Sequence, residues 1–212
     1  MGYCELIFGS MYSGKSEELI RRLKRVEYAG QKFILFKPNI DNRYSQNKIL
    51  THDNAKNKTL LLNMLQQIDS NIDNVLNELF DNFTGLDAVS IEKAEEIYNY
   101  LTDDIDVIGI DEIGFFDDKL IEVINDLIKQ KYRVICSGLD MYSNGEPFGN
   151  IVPYIACISK HVDKLHAVCV DCGQEAYLSF KLDHKNENKI DVGSTGKYIA
   201  LCEECIKKKA TT

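Results

Sequence analysis

No apolar run in this chain approaches the roughly 20 residues that a membrane-spanning helix requires, which excludes a helical membrane anchor. Positive charge is in deficit. Twenty-five Lys and Arg face 33 Asp and Glu across 212 residues, giving a formal net charge of -8. A broad nucleic-acid-binding face needs a basic patch, and Lys207-Lys208-Lys209 is too short to supply one. Charge is absent ahead of the first apolar run, so no signal peptide is expected. Position 6 is Leu rather than Ser or Thr, which breaks the N-myristoylation pattern. Internal repeats and low-complexity tracts are also missing. These absences leave a cytoplasmic protein of one domain, or one domain with a small appendage, without nucleic-acid or membrane partners and long enough to bury a core.

The cysteines do not form a disulfide framework, which suits small secreted domains. There are seven, an odd number. Cys4, Cys136 and Cys157 lie singly among apolar residues and are expected as buried thiols. Cys169, Cys172, Cys202 and Cys205 form two C-x-x-C pairs separated by residues 173–201. Four thiolates close a tetrahedral zinc site with no open position, so its role is structural. The separation exceeds the usual ribbon spacing of about 15–20 residues. The ion would therefore clip the base of a long loop, Leu182 to Lys197.

Against this background one motif stands out. Gly9-Ser10-Met11-Tyr12-Ser13-Gly14-Lys15-Ser16 reads G-x-x-x-x-G-K-S, a phosphate-binding loop. Tyr3 to Phe8 before it suits a buried strand. Glu17 to Tyr28 after it suits a helix with Leu19, Ile20, Leu23 and Val26 on one face. That order aims backbone N–H groups and a helix N-terminus at an anion, so the chain is expected to hold a nucleoside triphosphate. Lys15 should reach the β- and γ-phosphates and Ser16 should help hold Mg²⁺. Val107 to Ile110 is a second apolar run, and Asp111 at its end would bring a carboxylate to the magnesium. Glu112 follows, placed to act as general base toward an attacking oxygen. That oxygen could belong to water or to a substrate hydroxyl, and the dyad itself does not separate the two.

Strands are also expected at Lys32 to Lys37, ended by Pro38, and at Arg133 to Leu139, with a short one near Ile49-Leu50. Helical periodicity covers Leu60 to Leu101, broken at Thr84-Gly85, with Ser90 and Lys93 to Leu101 forming its last helix. Ala94, Ile97, Tyr98 and Leu101 would face inward. Asp117 to Gln130 and Glu203 to Lys209 complete the helices. Strands alternating with helices predict an α/β fold with a parallel sheet. The chain changes character near Lys160, so we expect residues 1–159 to form the nucleotide-binding domain and 160–212 a small cysteine-bearing one.

Several further motifs occur in a fixed order with those above. They are Met11 and Ser13 within the loop, Phe36-Lys37-Pro38 with Asp41 and Arg43-Tyr44, and Thr51-His52-Asp53. Ile110-Asp111-Glu112 with Phe115-Phe116, Gly138-Leu139-Asp140, Glu146-Pro147-Phe148-Gly149 and the paired cysteines follow. Together they closely resemble the thymidine kinase family of the cytosolic and bacterial type, over nearly the whole chain. The resemblance implies a RecA-like core, a zinc ribbon and a lasso loop over the nucleoside. It implies transfer of the ATP γ-phosphate to the thymidine 5′-hydroxyl in nucleotide salvage for DNA synthesis. It also implies a homotetramer with feedback inhibition by thymidine triphosphate. Residue by residue, the loop from Gly9 to Ser16 would hold the phosphates, and Asp41 and Arg43 would lie near them. Glu112 would take the 5′-hydroxyl proton. Met11 and Leu139 would wall the thymine pocket, Tyr198 would cover the base, and Val192, Gly193, Ser194, Thr195 and Gly196 would hydrogen-bond its edge. Ser143 stands where the family often has an aromatic residue, which leaves Tyr142 or Phe115 to fill that side. The segment between Asp53 and Asp111 is longer than in the family and implies added surface helices.

Overall fold

A computed structural model of the chain describes residues 1–40, 48–50, 85–182 and 197–210. The expected helices between residues 60 and 84 lie outside the described residues. In chain order, β1 (Tyr3–Gly9) leads to α1 (Lys15–Tyr28) and β2 (Phe33–Pro38). After β3 (Lys48–Leu50), β4 (Gly85–Asp87) and β5 (Val89–Ile91) come a 3₁₀ segment (Ala94–Tyr100) and β6 (Val107–Ile110). A short 3₁₀ turn (Ile113–Phe115), α2 (Lys119–Lys129), β7 (Arg133–Leu139), α3 (Ile151–Ile158) and β8 (His161–Leu165) follow.

Six of these strands form one sheet in the order β5-β2-β6-β7-β1-β8. Every neighbouring pair is parallel. The burial pattern explains why. Val107 to Ile110 is buried at all four positions, as a strand covered on both faces must be. On one face, α1 sets Leu19, Leu23 and Val26 against Ile7, Leu35, Val107 and Ile135. On the other, Leu120, Val123, Ile124 and Leu127 of α2 and Ile151, Val152 and Ile155 of α3 cover Cys4, Leu6, Ile108, Val134 and Cys136. Each such side chain contributes about 1.5–3 kcal/mol by leaving water. The chain leaves β1 across one face and returns to β7 and β8 across the other, as right-handed crossovers require. Ligands bind in such sheets outside the carboxyl ends of the strands, where the chain reverses direction.

Three local expectations are corrected. Residues 94–100 wind as 3₁₀ rather than α-helix, and Tyr98 is exposed while Ala94 and Ile97 are buried. Ser90 lies in a strand, because Val89–Ile91 pairs with the end of β2. Cys157 is exposed, not buried. It occupies the outer side of α3, opposite Ile151, Val152 and Ile155. Pro153 is tolerated in that helix because it sits in the first turn, where backbone N–H groups have no intrahelical partner.

A charge network ties the phosphate-loop strand to its surroundings. Glu5, in the middle of β1, is buried and accepts from Arg22 Nη1 at 2.6 Å and Arg133 Nε at 2.7 Å. Arg22 also reaches Asp163 on β8 and Glu18 one turn back. Arg21, then Arg22, beside Glu18 hold its carboxyl down at about 2, against an ordinary 4.5. A depressed carboxyl contributes stability that is complete above its unfolded value and fades as pH falls through the folded one. Glu18→Gln will therefore flatten the loss of stability between pH 4.5 and 2. Urea unfolding of both proteins at neutral pH and at about pH 3 checks this, and a variant as acid-sensitive as the parent would remove Glu18 from the acid limb.

The C-terminal part is a small ribbon. β9 (Ala167–Val168) pairs antiparallel with β10 (Glu175–Ala176), and β11 (Leu178–Lys181) with β12 (Tyr198–Leu201), before α4 (Glu203–Ala210). Ala167, Cys169, Ala176, Ala200, Leu201 and Cys205 form its core. Among the described residues no helix is long and apolar enough to cross a membrane.

Candidate active site

The loop after β1 bends into α1 through Gly14, whose φ of 85° is left-handed and strains any residue with a Cβ. Lys15, the first residue of α1, is buried, and its ammonium donates to the Ser10 carbonyl at 2.8 Å. Ser13 Oγ donates to the same carbonyl, also at 2.8 Å. The lysine thus lies folded over its own loop, in the first turn of α1, where backbone N–H groups point out of the helix along its axis. Glu17 and Glu18 in the first turn and Arg25 in the last match the helix dipole.

The acidic pair sits at the same end of the sheet. β7 separates β6 from β1, and all three run parallel. The loop that leads to Lys15 and the turn that carries Glu112 therefore leave from carboxyl ends two strands apart, and those strand ends are about 10 Å apart at the usual strand spacing. The Asp111 N–H still donates to the Phe36 carbonyl at 2.9 Å, so β2 fixes its backbone. Its Oδ1 accepts from Ser137 Oγ at 2.5 Å and from the Glu112 N–H at 3.0 Å. The aspartate is buried and held in one orientation by a strand on either side. Glu112 then turns sharply, with φ 49° and ψ 46°. A non-glycine residue in this region costs of order 1–3 kcal/mol and is retained where the surroundings enforce it. The turn leaves a buried carboxylate beyond the end of β6. Asp111 is an oriented carboxylate at the end of the sheet from which the Gly9–Ser16 loop also leaves, and a carboxylate so held could take part in holding a magnesium ion.

Beside this pair is an aromatic cluster. After β7, Met141 bridges Pro147, and the Tyr142 N–H donates to the Glu146 carbonyl at 2.9 Å. This hairpin returns Phe148 beneath both candidate rings. Tyr142 lies 4.5 Å from Phe148, centroid to centroid, and Phe115 lies 5.2 Å from it edge-on. Tyr142 and Phe115 thus flank one buried ring rather than compete for one place. Leu139 ends β7 close by and is half-buried.

The four paired cysteines converge. Their sulfur atoms all lie within 4.8 Å of one another, with Cys172 and Cys202 Sγ 3.5 Å apart. A tetrahedral zinc with bonds of about 2.3 Å needs sulfurs roughly 3.8 Å apart, so the donor set fits. The thiols are not equivalent. The Cys202 backbone N–H holds the Cys169 thiol down at about 6, while hydrogen bonds from Cys172 and Cys202 push Cys205 up to about 12. Four thiolates this close repel one another, and a divalent cation removes that repulsion.

Asp41, Arg43 and Val192 to Gly196 lie outside the described residues. Tyr198 is buried on β12. Met11 is half-buried, and its N–H is turned to Ser179 Oγ at 2.9 Å. Three residues gain a place that the sequence reading gave them no role in: Ser137, which orients Asp111, Phe148, which carries the aromatic cluster, and Ser179. The Phe148 motif was visible, but its packing partners were not. Ser137 and Ser179 carry no local signal.

A family model described as thymidine kinase matches residues 2–81 and 70–206. A thymidine kinase from Bacteroides fragilis (strain YCH46) is 39% identical over 207 residues, spanning 98% of this chain and 88% of that protein. Among solved structures, domain III of the Thermotoga maritima replication initiation protein DnaA is 14% identical, with a TM-score of 0.37 over 77% of this chain and 55% of that one. AMPPCP-bound DnaA from Aquifex aeolicus is 12% identical, with a TM-score of 0.38 over 77% of this chain and 41% of that one. The chain thus spans about half or less of those two structures, and a likeness this loose bears on neither fold nor function.

Proposed function

This chain belongs to the thymidine kinase family, and from that premise we propose how its residues divide the work of moving phosphate from ATP to thymidine. Glu112 takes the proton of the thymidine 5′-hydroxyl. The freed oxygen forms a bond to the γ-phosphorus as the bond from that phosphorus to the ADP oxygen breaks. Lys15 stands over the β- and γ-phosphates, where negative charge accumulates. Ser16 and Asp111 would hold Mg²⁺, whose charge screens the triphosphate. Phe115, Tyr142 and Phe148 with Leu139 make the apolar wall for the base, and Tyr198 with Val192 to Gly196 covers it. On the family resemblance Asp41 and Arg43 would act on the phosphates. Excluding water from that enclosure favours a sugar hydroxyl over hydrolysis.

The observation that supports this most is the shared end of the sheet: a buried lysine on a phosphate loop and a buried carboxylate two strands away. We also propose a homotetramer in the cytoplasm with thymidine triphosphate as feedback ligand, on the family resemblance. Zinc- and magnesium-supplied protein is expected to convert thymidine and ATP to the monophosphate and ADP in equal amounts. ADP formation should depend on thymidine and be unmoved by polynucleotide. Chromatography of the products decides it. ATP hydrolysis driven by polynucleotide, or no monophosphate from a folded zinc-loaded sample, would overturn the reading.

A further inference from the structure

The phosphate loop is tied to the ribbon at three consecutive residues. Ser10 Oγ donates to the Ala176 carbonyl on β10 at 3.2 Å. The Met11 N–H donates to Ser179 Oγ on β11 at 2.9 Å. The Tyr12 hydroxyl donates to the Tyr198 carbonyl on β12 at 3.0 Å. The loop also abuts the link into the ribbon: a Cβ on Gly9 would lie 2.1 Å from the Leu165 carbonyl oxygen. The Tyr12 ring packs on the ribbon core that contains Cys169 and Cys205, and its φ of 65° is left-handed. A residue in that conformation is held there by its surroundings, and here those surroundings include the ribbon.

Resting on the reading of Gly9 to Ser16 as the ATP phosphate site, we propose that the ribbon positions the phosphate loop, with Ser179 as the positioning residue. Ser179 takes the Met11 amide out of the group that faces the nucleotide and fixes the turn from which Tyr12 to Lys15 follow. It is buried, so its loss leaves the Met11 amide without a ready replacement partner. Tyr12 anchors the next residue by its ring and its hydroxyl. The three strands concerned belong to the ribbon that carries the four cysteines, so metal binding and ATP binding are coupled through this contact.

The test uses the full metal-loaded chain and a non-hydrolysable ATP analogue with Mg²⁺, titrated by calorimetry. Zinc content and exchange of the Met11 amide proton are measured on the same samples. Lys15→Met is expected to abolish analogue binding. Ser179→Ala should weaken it roughly fivefold, the size of one lost buried hydrogen bond, and speed Met11 amide exchange with zinc content unchanged. Ser179→Thr, which keeps the hydroxyl, should restore both. If Lys15→Met loses binding while Ser179→Ala binds as the parent does, the positioning role is wrong and the phosphate-loop reading stands. If Lys15→Met binds as the parent does, that reading falls and the inference with it. Should Ser179→Ala not fold, Tyr12→Phe removes only the hydroxyl tether and decides between the same outcomes, a weakened titration for and an unchanged one against.

Discussion

Replacing Glu112 with alanine will lower the rate of phosphate transfer at saturating thymidine by about 10²–10⁴-fold, the contribution of a positioned general base. Binding of ATP will change little. The asymmetry follows from where the groups stand. Lys15 and its loop follow β1 and open α1, while Glu112 lies two residues beyond β6, with β7 between the two strands. Removing the carboxylate leaves the phosphate loop and Asp111 in place, because Asp111 is oriented by Ser137 Oγ and by a backbone N–H that alanine keeps. The left-handed backbone at this position costs alanine about what it costs glutamate, so the substitution adds little strain. Glu112→Gln is the companion variant. It preserves shape and one acceptor oxygen but cannot accept the proton, so it should fall nearly as far. Steady-state rates for the three proteins, with calorimetric ATP titrations, make the comparison. Equal loss of transfer and of ATP binding would make Glu112 a structural residue instead.

The parts of this site that the sequence discloses are those whose chemistry depends on neighbours along the chain. A phosphate loop needs glycines, a lysine and a hydroxyl at set spacing, and a strand and helix to either side. Asp111-Glu112 follows a short apolar run rich in β-branched residues, which suits a strand covered on both faces. The C-x-x-C pairs carry their ligand geometry in their spacing. What stays hidden is decided by partners far along the chain. Ser137 is one more small residue in β7 until β6 places Asp111 beside it. Ser179 is an ordinary strand serine until the phosphate loop arrives from more than 160 positions away. Val89–Ile91 is too short for its own pattern to decide, and becomes a strand by pairing with β2. Cys157 misleads for a related reason. Its neighbours are apolar on average, but the helical period, not the average, determines which side faces the core. The aromatic question also needed the third dimension, since Tyr142 and Phe115 meet on Phe148.

Cys169→Ser will empty the four-cysteine site and loosen the ribbon around it. The donor set depends on all four sulfurs. They lie within 4.8 Å of one another, and a serine hydroxyl does not become an anion at neutral pH as a thiol bound to zinc does. Among the described residues the ribbon's own apolar packing is slight. Among those residues its buried core is three alanines, one leucine, Cys169 and Cys205, with Phe180, Ile199 and Ile206 packed against it, and its two hairpins are only two and four residues long in each strand. A fragment so poor in buried apolar area relies on a staple, and structural zinc supplies about 10–16 kcal/mol in such units. Metal analysis should find about one zinc per chain in the parent and far less in the variant. Proteolysis should cut the variant first after residue 166, while the six-stranded sheet resists. Because Tyr12 packs on that same core, the damage should reach the phosphate loop, and ATP affinity should drop along with zinc content. Full zinc occupancy in the variant would show that Cys169 is not a ligand. Lost zinc with unchanged ATP affinity would show instead that the ribbon folds for its own sake, apart from the loop it touches.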